Sequence, residues 1–231
     1  MNADPSPLPP SEIEAAAGVR RLSDALLSHD VPLDLSDEVA ATLSALAARV
    51  EACSARTKTQ ASGRYTGQQR IEYFLTNGSW PPPPPDGGEL TFDALSFIGG
   101  RLSPLSAGVR YYRRGESAVG RVTFSSAYEG PPNRVHGGAL AATFDEVMGT
   151  VFRVRANGLA FTGSLTVRFE APAPIGQALE FKAWLAKTEG RKHTVQAEGH
   201  GPGGRFASAT ATFIEISAKD LAQLVEAGNT S

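Results

Sequence analysis

Gly130-Pro131-Pro132-Asn133-Arg134-Val135-His136-Gly137-Gly138, running straight into Ala139-Leu140-Ala141-Ala142-Thr143-Phe144-Asp145-Glu146, is the stretch on which the reading of this chain turns. Two prolines stiffen the entry, two glycines let the backbone come close to another group, and the alanine- and leucine-rich run has strong helix propensity. Such a helix start leaves backbone N–H groups near Gly137 and Gly138 without intrahelical partners, which makes a site for negative charge. Asp145 and Glu146 follow about two turns later, so a carboxylate lies downstream of an oxyanion-type site within one element. That pairing points to acyl chemistry. Neighbouring helix positions are rotated by roughly 100°, so only one of the two carboxylates can face such a site.

On either side of this helix the chain supplies strands on a regular beat. Residues 109–113 and 119–125 form a candidate hairpin through Arg114-Gly115-Glu116. After Asn157-Gly158 come four more candidates, 159–170, 178–187, 193–200 and 205–216. Turns at Pro174-Ile175-Gly176, Glu189-Gly190 and Gly201-Pro202-Gly203-Gly204 separate them. One helix against a long antiparallel sheet is an α+β layout.

The first hundred residues read differently. The opening ten are Pro-rich and loose. Ser11 and Glu14 read as a capping box, with Ala15, Val19, Leu22 and Leu26 on one face of a helix ending near His29. Pro32 breaks it, and Ser36 is the expected cap of a second helix striped by Val39, Leu43, Leu46, Ala47 and Val50. The two are expected to pair as a hairpin. Residues 69–75 suit either a short helix or a strand, and Trp80 followed by Pro81 to Pro85 reads as a stiff polyproline spacer. Phe97-Ile98 with Gly99-Gly100 reads as a loop lying against the next domain. The division expected is a helical extension and Pro-rich linker over 1–100, an enzyme domain over 101–217, and a tail over 218–231. In that tail Leu221, Leu224 and Val225 allow a last turn or two of helix.

Composition narrows the classes. With 231 residues, 41% hydrophobic and 20% charged, the chain is an ordinary globular protein able to bury a sizeable core. A net charge of −2 gives no global pull towards nucleic acid or membrane. Cys53 is the single cysteine and cannot close an intrachain disulfide. No apolar run has the length of a membrane span and the start lacks a signal-peptide pattern, so the expectation is cytoplasmic. His29, His136, His193 and His200 lack the spacing of a zinc site, and neither a nucleophile elbow nor a glycine-rich phosphate loop is present. No metal or cofactor is expected.

Taken in order, Gly130-Pro131-Pro132, His136-Gly137-Gly138, Asp145, Thr162, Gly190-Arg191-Lys192 and Ala209-Thr210-Ala211-Thr212-Phe213-Ile214 resemble the hotdog-fold acyl-CoA thioesterases. The branch is that of the phenylacetate-pathway (PaaI-like) and carboxy-terminal-modulator-like enzymes, and the likeness covers 128–216. It implies a long central helix wrapped by an antiparallel β-sheet, here with an N-terminal helical extension, and hydrolysis of an acyl-CoA to free acid and CoA. By the same resemblance the Gly137 amide, with Gly138 adjacent, polarises the thioester carbonyl. His136 shapes the turn, Asp145 is general base in preference to nucleophile, and Thr162 positions the water or the carboxylate. Arg168, Arg191 and Lys192 match the region that holds the nucleotide phosphates.

Three departures stand out. Some relatives carry an Asn donor where this chain has Gly130. Asn133 fills a slot often held by Gly, which a left-handed backbone tolerates. Glu170 stands where some relatives have Lys. The resemblance also implies a homodimer or a dimer of dimers whose sites draw on two chains. The alternative is a hotdog domain that binds acyl-CoA without cleaving it, as a sensor; a scaffold assembled through the helical extension is a further rival. No nucleic-acid or membrane partner is expected.

Overall fold

In the computed structural model, which describes residues 9–55, 67–90, 93–155, 158–216 and 220, six strands form one antiparallel sheet. They are β1 (Arg110–Arg114), β2 (Ser117–Thr123), β3 (Ala160–Phe169), β4 (Ala178–Glu189), β5 (Lys192–Gly201) and β6 (Gly204–Glu215), in the order β1-β2-β4-β5-β6-β3. The helices are α1 (Pro10–Ser28), α2 (Leu33–Glu51), α3 (Gly67–Asn77) and α4 (Gly137–Val154). All six expected strands are present, and the hairpin turns rest on Gly115 and Gly190, whose φ of 57° and 60° suit a residue without a side chain.

The alternation along β4 and β5 sends Leu179, Phe181 and Ala183, and Val195 and Ala197, to one face of the sheet, where α4 covers them. α4 answers with Leu140, Phe144, Val147, Met148 and Val151 at helical spacing, so its apolar stripe meets the sheet's apolar face. Each fully buried side chain of this size contributes about 1.5–3 kcal/mol, which makes the α4–sheet contact the main source of stability. The helix comes close because β2 offers no side chain at Gly120, where a Cβ would lie 2.4 Å from Val147 Cγ2. Phe144, Phe181 and Phe206 close the centre with edge-on ring contacts at 5.0 and 5.5 Å.

Leu90 and Ile98 belong to the same core, so the chain ahead of residue 100 contributes to it. The proline run is more than a spacer. Arg113 donates to the Pro84 carbonyl, and the backbones of Gly87, Gly88 and Leu90 bond to β1, lengthening the sheet on that side. Residues 69–75 are helical within α3, and Phe74 stacks on Trp80 at 4.6 Å.

The helical extension departs from expectation in three ways. Neither α1 nor α2 has a side-chain cap; each starts a few residues early behind a proline whose fixed φ suits a helix start. α1 does not pair with α2 as a hairpin. It docks on the 3-10 turn Ser126–Tyr128 and on the loop of Leu102 and Ser103, through Ala16, Arg20 and Asp24. No residue of α2 is buried. The expectations for the first eight residues and for Leu221, Leu224 and Val225 lie outside the described residues.

Candidate active site

The turn before α4 is held on both sides. Gly130 donates to the Arg134 carbonyl, His136 to Tyr128, and Val135 to Ala173, so the loop is stitched to the segments it crosses. Asn133 takes φ 61°, and its amide donates to the Glu129 carboxylate. The left-handed turn at this residue sends the chain back towards the helix. At Gly130 an added Cβ would meet His136 Cα at 2.9 Å and Cδ2 at 3.2 Å, so an asparagine cannot stand here without moving the histidine.

His136 is the N-cap of α4. Its backbone is extended and its carbonyl receives Ala139 and Leu140, while its Nδ1 accepts from the Gly138 amide at 3.0 Å. The Nδ1 is therefore unprotonated in this contact. Two free amides were expected, at Gly137 and Gly138; the imidazole takes the second, because a capping side chain reaches one of the first orphan donors. Among the described residues the Gly137 amide has no partner, and it lies at the positive end of the helix. Phe169, at the end of β3, flanks it: a Cβ on Gly137 would sit 3.4 Å from the ring. Phe169 was not among the sequence candidates. The pattern of a strand end does not say which helix residue it will meet.

Asp145 is half-buried on α4, and its Oδ1 accepts from Thr162 Oγ1 at 2.7 Å. The register of β3 against β6 shifts between Thr162 and Ser164, so Gly163 is an extra residue. Such a bulge re-aims the neighbouring side chain. Gly137 and Asp145, eight residues apart, are separated by roughly 12 Å along the helix axis.

Glu146, the second of the two carboxylates, is engaged within its own chain. It accepts from Ser96 Oγ at 2.7 Å, Ile98 N at 2.9 Å, Gly99 N at 3.1 Å and Tyr111 Oη at 2.5 Å. It ties the 96–99 loop and β1 to α4. Burial, then the adjacent Glu146 charge and hydrogen bond, push the Tyr111 hydroxyl far up from its ordinary value, so it remains a donor. Two turns on, burial and then the nearby Arg70 charge lower Arg153 to about 10, while Asp93 and Tyr111 act the other way.

The three basic candidates are not brought together within one chain. Arg168 is exposed near the end of β3, opposite Ser208. Lys192 begins β5 opposite Ile214, which itself pairs with Phe161 at the other end of β3. Seven strand residues separate those levels, about 23 Å. Arg191 donates to the Glu215 carbonyl at 2.9 Å and faces Asp220 at 3.6 Å. Glu170 is occupied by Ser208 and Arg205, and these contacts, Ser208 first, lower its pKa. Among the described residues no group of three His, Cys, Asp or Glu side chains could hold a metal ion, and no helix is long and apolar enough to cross a membrane.

A single long helix laid against a six-stranded antiparallel sheet is the layout of the hotdog fold. Residues 133–207 match the family model described as Thioesterase superfamily. The chain is 33% identical over 90 residues to the acyl-coenzyme A thioesterase THEM4 of Xenopus laevis, covering 38% of this chain and 40% of that protein. It is 31% identical over 93 residues to the acyl-coenzyme A thioesterase THEM5 of Homo sapiens, covering 39% and 37%. The match thus spans about two fifths of these curated relatives. A solved structure described as a thioesterase superfamily protein superposes with a TM-score of 0.68 at 24% identity, covering 91% of this chain and 94% of that one. That likeness supports the fold across the helical extension as well as the sheet. The domain of α4 and the six strands has the hotdog fold, and its residues 133–207 are similar to the thioesterase superfamily.

Proposed function

We propose that the protein hydrolyses an acyl-CoA thioester to the free acid and CoA. The observation that carries this reading is the pair of groups on α4: a Gly137 amide at the helix start that has no partner among the described residues, and Asp145 held by Thr162. The thioester carbonyl would accept from the Gly137 amide, and the negative charge that develops on its oxygen is stabilised there by the helix start. Asp145 takes a proton from water as the water's oxygen attacks the carbonyl carbon; the tetrahedral intermediate collapses and the C–S bond breaks. The CoA thiolate leaves, and Asp145 returns its proton. Thr162 fixes the carboxylate through Oδ1, leaving Oδ2 for the water. His136 is a positioning residue that holds the helix start.

One chain is too short on reach, because an Asp side chain cannot span roughly 12 Å to the carbonyl held at Gly137. The edge strand β3 supports a composite site. It pairs on one side with β6 and is largely exposed along its other side, with Phe161 57% and Phe169 53% exposed. Antiparallel pairing of two copies of β3 about its middle would set Phe169 and Gly137 of one copy beside Thr162 and Asp145 of the other. The same pairing would bring Arg168 of one copy to the Arg191-Lys192 turn of the other, giving the basic residues a shared anion to hold. The expected unit is therefore a homodimer or a dimer of dimers, acting on acyl-CoA.

A thiol-release assay over a panel of acyl-CoA thioesters tests the reaction. Asp145→Asn is expected to cut kcat by roughly 10²–10⁴ with acyl-CoA binding retained. Activity within a few-fold of the parent would remove Asp145 as base. Binding without thiol release from any thioester would favour the sensor reading. Mixing the Asp145→Asn chain with a Gly137→Val chain, each inactive alone, is expected to restore part of the activity; an inactive mixture containing mixed dimers would confine the site to one chain.

A further inference from the structure

α1 and α2 are each 19 residues long, and each carries an apolar stripe that the described residues leave mostly exposed, with Leu22 and Val39 half-buried. On α1 the stripe is Ala15, Val19, Leu22 and Leu26; on α2 it is Val39, Leu43, Leu46 and Val50. Both run in steps of four, three and four residues, the spacing of helices that interlock along a seam. α1 turns another face to the domain, docking through Ala16, Arg20 and Asp24. Val19 is consequently 48% exposed and Leu26 40%, while on α2 Leu43, Leu46 and Val50 are 40%, 47% and 71% exposed. Helices of this kind draw most of their stability from packing the apolar face, and no residue of α2 is buried among the described residues.

The stripes also fit each other. In one antiparallel register Ala15 opposes Val50, Val19 opposes Leu46, Leu22 opposes Leu43, and Leu26 opposes Val39. This is the match of a folded helical hairpin, yet the chain does not fold back. The connector leaves α1 at His29 with φ −129° and ψ 148° and enters α2 at Pro32 with φ −58° and ψ 150°. The proline also restricts Val31 to extended conformations. Among the described residues α1 and α2 do not pack along each other. The cover that fits α1 is then the α2 of another molecule, and the fit is reciprocal.

We propose that the α1–α2 arm is exchanged between two copies of this chain, α1 of each pairing antiparallel with α2 of the other. Reciprocal exchange closes on itself about a two-fold axis and costs little, because each contact is one the sequence already encodes. Each paired helix is about 28 Å long. The bundle lies outside the residues assigned to hydrolysis and does not depend on that reading.

Cysteine cross-linking tests it, with Cys53→Ser to remove the native thiol. A chain carrying Val19→Cys and a chain carrying Leu46→Cys, refolded together and oxidised, should give a product of twice the chain mass. A chain carrying both should do the same by itself. Adding Val50→Glu to the Leu46→Cys chain should lower the yield by about tenfold or more, since it buries a charge in the seam. These positions are exposed in the single chain, so the fold itself should survive, as circular dichroism would verify. An internal disulfide at single-chain mass from the double variant would mean a closed hairpin and would overturn the proposal. So would a yield indifferent to Val50→Glu, which marks collision, or two reactive thiols that never link.

Discussion

Replacing Glu146 by Gln changes one atom's chemistry at a point where four donors converge. The carboxylate takes Ser96 Oγ, Gly99 N and Tyr111 Oη on Oε2 and Ile98 N on Oε1. An amide has one acceptor oxygen. If it faces the three donors, its NH₂ group faces Ile98 N–H, and a buried donor is left unpaired at a cost of about 1–3 kcal/mol. The remaining three bonds also lose the help of charge, roughly 0.5–1 kcal/mol each. The expected destabilisation is about 3–5 kcal/mol, a large share of the 5–15 kcal/mol typical of a domain. At roughly 2–4 °C per kcal/mol, the midpoint of thermal unfolding should fall by about 6–20 °C. Asp145→Asn should hardly move it, since an asparagine carbonyl can still accept from Thr162 on a half-exposed face. Parallel melting curves and thiol-release rates at 20 °C, corrected for the folded fraction, separate the two. A Glu146→Gln protein that melts like the parent but has lost its turnover would refute this division of labour, making Glu146 the base.

Gly130→Ala tests how firmly the helix start must be held. The new Cβ would press on His136 at 2.9 Å, so the cap should shift at a cost of about 1–2 kcal/mol in stability. A misplaced amide should cost kcat up to about 10²-fold, and an unchanged kcat would mean that the Gly137 amide is not a positioned donor. Acid should release α1. The Ser126 hydroxyl first, with help from the Ala127 amide, holds Asp24 below its ordinary carboxylate range. A carboxylate with a depressed folded-state pKa stabilises fully above its unfolded value near 3.9, and that contribution is lost as pH falls through the folded value. Amide exchange along α1 should therefore rise below about pH 4 in the parent, while Asp24→Asn should exchange quickly at every pH; a parent profile flat down to pH 3 would count against Asp24 as the anchor.

The strands could be located from the sequence because turn glycines and alternating apolar residues are local signals, and β4, β5 and β6 carry both. The start of α4 was legible for the same reason: proline, glycine and histidine restrict the backbone within a few residues. What escaped detection depends on partners far along the chain. Val19 and Leu26 form as clear a stripe as any on α4, yet α1 docks through Arg20 and Asp24, because the loop carbonyl of Ser103 and the hydroxyl of Ser126 lie where those side chains reach. Periodicity identifies an apolar face without saying whether it is the face that will be covered. The two carboxylates show the same limit. Asp145 and Glu146 are indistinguishable as a dipeptide, and their roughly 100° of rotation sends one to Thr162 on the open edge of the sheet and the other into the 96–99 loop. The sequence reads the loop that engages Glu146 as an apolar Phe97-Ile98 patch with two glycines lying against the domain, and its need for an acceptor appears only once Ile98 and Gly99 turn their amides inward. A carboxylate with four donors is spent on structure. In the proposed reaction the one with a single hydroxyl, at the open edge of the sheet, has an oxygen left for water.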